Sequence, residues 1–380
     1  TDTGTVTVGG NFSATTDANS GVVNVGTMAV DGTVALNTNG SGNATIVNDA
    51  GLSFAASTVG GTLSATATTG DITDSGTLTI AGASTFITAA TGSNIVLDGS
   101  SNAFSSSVEM RADGGGEAFG NITFVDSAAI NFATSAGSNG DLFINGSTDG
   151  AVGGNLSVTA TTGNITDTVA LTVSGTTTLT TSANDATITL DNTSNAFTGA
   201  ITVTTNDASG TDADVTIDGG TTALQIAAST IDGDLTLTSG NASGITDTGT
   251  VTVGGNFSAT TDANNGVINM GTMAVDGTFT LAPNGTGAVT VVNDAGLSLA
   301  ASTMGGTFSG TATTGNITDT GALAITGTTT LVTSANDATI TLDNTSNAFT
   351  GAMTITTNDA SGTDADVTID GGTTALQIAA

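Results

Sequence analysis

The sequence predicts an all-β parallel solenoid. Three observations predict it: long stretches recur almost unchanged, a shorter period of about 22–23 residues runs through them, and apolar residues alternate with Thr or Ser between Gly, Asn and Asp turns.

The long repeat comes first because it fixes the scale. Residues 1–104 align without a gap on 246–349, so that TDTGTVTVGGNFSATTDAN at Thr1 returns at Thr246. Residues 163–228 align on 315–380 with 59 of 66 positions identical, and a swap such as Val173 for Ile325 keeps an apolar side chain as an inward position requires. This divides the chain into unit 1 (1–151, with 105–151 divergent), a truncated unit 2 (152–245) and unit 3 (246–380), one continuous solenoid without linkers. The pattern opens and stops in mid-repeat without a polar cap, so the array is expected to run on at both ends.

Within the units, apolar residues that follow a turn mark the coil: Leu156, Leu179, Ile201 and Leu224, then Leu235, Phe257 and Phe279, then Phe308, Leu331, Met353 and Leu376. Their near-constant interval suits three short strands and three turns per coil. Segments such as TVTVGG, ATITLDN, DVTIDGG and GDLTLTS show the period of two that a half-buried strand needs. Gly, Asn and Asp supply the tight corners. Helix is disfavoured, because the chain has one Arg, no Lys, two Glu and two Gln against abundant Val, Ile and Thr.

Composition excludes several functions. Thirty-three acidic residues face the single basic Arg111, a net charge of −32, so neither nucleic acid nor an anionic membrane surface is an expected partner. No apolar run is long enough for a membrane-spanning helix. There is no Cys and no His, which removes disulfides, thiolate metal sites and the commonest general base. Paired carboxylates alone do not make a polysaccharide hydrolase or lyase when only Arg111 can stabilise an anion, so an enzyme is not expected.

GGNLSVTATTGNITDT from Gly153, GALAITGTTTL from Gly321 and VGGNFSATT from Val253 resemble the right-handed β-helix repeats of giant bacterial surface proteins, the filamentous-haemagglutinin-like adhesins and autotransporter passengers. The likeness covers nearly the whole chain. It implies a right-handed coil and an extracellular or cell-surface role, and it carries over no catalytic residue.

The candidate site is a cation site. Asp207, Asp212 and Asp214, repeated as Asp359, Asp364 and Asp366, alternate around a Gly turn and offer oxygens of the kind calcium takes. The competing reading is a turn, since Asp, Asn, Ser and Gly cap local backbone groups, and the spacing matches no EF-hand loop. No other cofactor is expected. The divergent segment holds Arg111, Glu109 and the loop Gly114–Glu117; Glu109 and Arg111, two apart on a strand, are expected to form a surface pair. N-x-S/T sequons, among them Asn11, Asn121, Asn164, Asn256 and Asn344, are frequent, as chance allows in a chain this rich in Ser and Thr. T-x-T patches (Thr5 with Thr7, Thr187 with Thr189, Thr339 with Thr341) suggest an ice-binding face, against which their irregular spacing argues. The expected function is a structural shaft or filament assembling with itself end to end. The alternatives are a calcium-stiffened adhesin for surface glycans or neighbouring cells, and an ice-binding solenoid.

Overall fold

In the computed structural model, residues 1–112, 120–133, 140–144, 151–206, 213–358, 360 and 365–379 are described. Among them every element is a β-strand and no helix forms. Short strands dominate, as expected where Val, Ile and Thr alternate and Gly breaks the run every few residues. The chain forms two compact units, Thr1–Asn192 and Thr193–Ala380. Both are parallel solenoids.

In the first unit three columns of parallel strands wrap the core. One runs Val23–Val30, Ala44–Asn48, Leu63–Ala67, Ser84–Thr88, Val108–Arg111, with Ala44 over Leu63 and Ser84 over Val108. A second runs Leu52–Phe54, Ile72–Asp74, Ile95–Leu97, Ile122–Asp126, Leu156–Ala160, Thr177–Asn184. The third stacks Ser57–Val59, Leu78–Ile80 and Ala103–Phe104. Inward residues are fully buried and outward ones half-exposed, the alternation read from the sequence.

The second unit repeats this plan. Eight strands form one column, from Val215–Asp218 through Leu235–Ser239, Phe257–Thr261, Thr278–Ala282, Leu297–Leu299, Ile317–Asp319 and Ile340–Leu342 to Val367–Ile369. Beside it stand Leu224–Ile226, Ile245–Asp247, Ile268–Val275, Val289–Asn293, Phe308–Ala312, Thr329–Asn336 and Met353–Asn358.

Coil length follows the expected value with two corrections. Val6 pairs with Met28 and Phe257 with Phe279, one expected coil apart in each case. Leu156, however, pairs with Thr177 and not with Leu179, which stands over Val158; likewise Phe308 pairs with Thr329, and Leu331 stands over Gly310. The apolar markers therefore sit two positions off the true register at these coils. A slip of two keeps every side chain on its own face, so the pattern cannot detect it.

The larger correction concerns the divergent segment. Val108–Arg111 pairs with Asp141–Ile144, which pairs in turn with Ile130–Phe132, and that strand carries Ile165–Asp167. Strand order in space is thus inverted relative to the chain. Leu142 and Ile144 are buried, so this segment adds a rung to the core. Across it the coil lengthens by about half, with Ile122 pairing directly with Leu156. Glu109 and Arg111 do lie on one face, with Nη2 3.6 Å from Oε1. The loop Gly114–Glu117 is outside the described residues.

Candidate functional site

Asn and Asp side chains at many coil corners bond backbone N–H groups of the neighbouring coil. Asn11 Oδ1 accepts the Thr33 N–H at 2.9 Å and Asn43 Oδ1 that of Thr62 at 2.9 Å. In the first unit a ladder runs without a break from Asp71 to the N–H of Asn94, from Asn94 to Asn121, from Asn121 to Asn155 and from Asn155 to Thr176, at 2.7–2.8 Å. The second unit has Asp214, Asp234, Asn256 and Thr278 in the same relation. Each side chain does for the next coil what an N-cap does for a helix: it satisfies a backbone donor where the strand ladder stops.

This gives the sequons a structural cause. At Asn11, Asn121, Asn164 and Asn256 the Asn occupies the corner, the next residue points inward (Phe12, Ile122, Ile165, Phe257) and the Ser or Thr after it points out. Corner plus strand start therefore spells N-x-S/T. Asn344 is different, closing a local turn onto the Ser346 N–H at 3.0 Å.

Much of the acid is used the same way. Asp74 Oδ1 accepts the Asp98 N–H at 2.9 Å while its Oδ2 takes the Gly99 N–H at 3.1 Å and Asn102 Nδ2 at 2.7 Å. Its repeat counterpart Asp319 holds Asp343, Asn344 and Asn347. Asp2 accepts from the Thr27 hydroxyl and the Gly26 N–H, and these bonds hold its carboxyl below the usual range.

Of the candidate calcium ligands, Asp207, Asp212, Asp359 and Asp364 lie outside the described residues. Asp214 is described and belongs to the corner ladder, its Oδ1 2.8 Å from the Asp234 nitrogen. Asp366 accepts the Ile340 N–H through its main-chain oxygen at 3.0 Å. Among the described residues no three Asp, Glu, His or Cys side chains converge on a common point.

Two open clefts occur at the same repeat position. One of about 380 Å³ is lined by Val30, Asp31, Ala50, Leu52, Asp71 and Thr73; its counterpart of about 240 Å³ has Val275, Asp276, Ala295, Leu297, Asn316 and Thr318. Neither has a basic or aromatic wall. Among the described residues every Phe is buried or half-buried, so no ring is left exposed for a sugar to stack on.

The outward face of one column carries no acid over four successive rungs of the second unit. In the second unit Thr290 and Val292, Ser309 and Thr311, Thr330 and Val332, and Thr354 and Thr356 lie rung above rung. In the first unit the corresponding rungs are Thr45 and Val47, Ser64 and Thr66, Thr85 and Ile87, ending at Glu109 and Arg111.

A second polar set lies inside. Ser57, Ser229 and Ser302 each accept a strand N–H (Leu36, Val203 and Leu281, all 3.0 Å) and donate two residues back, to Ala55, Ala227 and Ala300. Sequence reasoning missed these, although the Ala-Ala-Ser spelling recurs at all three. In contrast, Ser84 Oγ, Thr177 Oγ1 and Thr329 Oγ1 are buried and unbonded, all three at one repeat position. An unpaired buried hydroxyl costs about 1–3 kcal/mol, so Thr329→Val, which keeps the shape, is expected to stabilise the protein by about 1 kcal/mol. A raised denaturant midpoint at unchanged slope checks it.

No curated protein and no solved structure matches the chain. One family does, over residues 41–111, 119–204, 212–270 and 286–356, and these matches cover most of the chain. The chain accordingly belongs to the family described as repeats of unknown function, DUF5649.

Proposed function

We propose that the protein is a non-enzymatic extracellular structural element, a β-solenoid shaft or filament of a bacterial surface or matrix that assembles end to end. One observation carries this reading: Asn and Asp side chains at the corners join coil to coil, in ladders such as Asp71 to Thr176. Every coil offers three parallel strand edges that a coil of the same kind covers, and a second copy can extend the stack by the same pairing. The charge of −32 suits an extracellular shaft, since it opposes lateral clumping. The likeness of GGNLSVTATTGNITDT to bacterial surface repeats points to the same setting.

Immunogold labelling of intact cells and negative-stain microscopy of the native full-length protein test it. Surface label and thin extended particles are expected. Label confined to the cell interior would overturn the extracellular shaft, and short monodisperse particles would remove filament formation while leaving a shaft.

The hydroxyl-bearing face of the second unit, free of acid over four rungs, favours ice binding as a second reading. Thermal hysteresis in a cooling experiment checks it; its absence removes that reading.

A further inference from the structure

One buried corner holds an acid where its counterparts hold amides. Asn102 Oδ1 accepts the first N–H of the strand one coil below, that of Leu78 at 2.8 Å, and Asn347 does the same for Leu323 at 2.8 Å. Asn48 and Asn293 serve Val30 and Val275. Asp126 Oδ1 takes this place for Phe104, at 3.1 Å, one rung above Asn102. Its residue is 2% exposed.

Among the described residues, what surrounds the carboxyl is apolar or neutral. Ala103–Phe104 lies below and Leu156–Ala160 above, and the Ser127 and Ala128 N–H groups close on it from its own turn. Of the acids on adjacent rungs, Asp74 is held by Asn102 Nδ2 and Asp98 is exposed to solvent. The one basic side chain, Arg111, sits against Glu109, with Nη2 3.6 Å from Oε1.

We infer that Asp126 is a pH-responsive cap, which in its neutral form serves the Phe104 strand as the asparagines serve theirs and in its ionised form loosens the coil junction beside the divergent segment. Burial pushes its carboxyl up to about 6 from an ordinary 3.8, against the pull of the three N–H groups. Because the folded value is raised, the native state takes up a proton that the unfolded chain does not as pH falls from 7 towards 4. Stability therefore rises on mild acidification, the reverse of ordinary acid unfolding.

General relief of acidic repulsion also stabilises the fold at lower pH, so Asp126→Asn supplies the comparison. Denaturant unfolding of the full chain at pH 7.5 and pH 5 should show the variant more stable than the parent at pH 7.5. The ratio of their unfolding constants should shrink about tenfold by pH 5. Carbon-detected NMR of aspartate carboxyls in the parent protein gives a second readout that needs no variant. Parallel pH dependence of parent and Asp126→Asn, or a carboxyl at 126 that titrates in the ordinary range, would overturn the inference.

Discussion

Replacing Phe86 by Ala is expected to cost about 3–5 kcal/mol of stability, the range for removing a large buried aromatic. Phe86 is fully buried at the centre of an aromatic column in the first unit. Its ring meets Phe54 edge-on at 6.2 Å and Phe104 edge-on at 6.0 Å, and Phe104 leans on Phe124 at 5.2 Å. A solenoid core is one side chain wide between its sheets, so little surrounds the hole that could collapse into it, and the neighbours on both rungs lose an edge-to-face partner. Phe86→Leu keeps most of the apolar volume and forfeits the ring contacts, for about 1–2 kcal/mol. Thr85→Ala, on the outward side of the same strand, should stay within about 0.5 kcal/mol. Denaturant midpoints for the three variants rank these costs. Equal losses for Phe86→Ala and Thr85→Ala would mean that the alternation of the strand Ser84–Thr88 does not point Phe86 inward.

The repeat positions equivalent to Phe54 and Phe86 in the second unit carry Leu299 and Leu331. That aromatic column therefore belongs to the first unit, while Phe257 and Phe279, 5.8 Å apart, serve the second. Apolar identity at an inward site drifts as long as volume is roughly kept.

What could be read from the amino acids, and what could not, divides by range. Strand alternation and coil length were legible because both are local: one residue in, one out, and a turn where Gly, Asn or Asp allows it. Register was legible only to within two positions, since Thr177 and Leu179 point the same way and a hydroxyl at the inward site gives no sign of burial. The inverted placement of Asp141–Ile144 was not legible at all. Its residues alternate like any strand, and nothing local says that it slides beneath Ile130–Phe132. The corner ladders were half legible, because Asn and Asp announce turns but not that their oxygens reach across to the next coil. For the candidate cation ligands the sequence showed the spelling of a turn, and at Asp214 a corner bond is what the turn provides.

Asn293→Ala is expected to cost about as much as losing a core aromatic, although Asn293 is polar. The side chain is buried and completes three bonds: Oδ1 takes the Val275 N–H at 2.9 Å, while Nδ2 gives to the Val275 oxygen at 3.0 Å and to the Gly296 oxygen at 2.6 Å. Asn48 repeats the arrangement in the first unit with Val30 and Gly51. An amide is the side chain that both accepts and donates at that spacing without charge, which is why both copies hold Asn. Truncation leaves one buried donor and one buried acceptor of Val275 unpaired, at roughly 1–3 kcal/mol each, and frees the half-exposed Gly296 oxygen, so a loss of about 3–5 kcal/mol is expected. Asn293→Asp separates the accepting from the donating role. Its carboxylate can still accept from Val275 but faces two carbonyl oxygens with no proton to offer, so at neutral pH it should be at least as damaging as Ala. Below the point where the buried acid is protonated, the hydroxyl regains one donated bond and part of the loss should return. Hydrogen exchange at the Val275 amide, followed with global unfolding, reads the local bond directly. Protection unchanged in Asn293→Ala would show that the strand end is held by the sheet alone, and the inward asparagines would then be fillers of space.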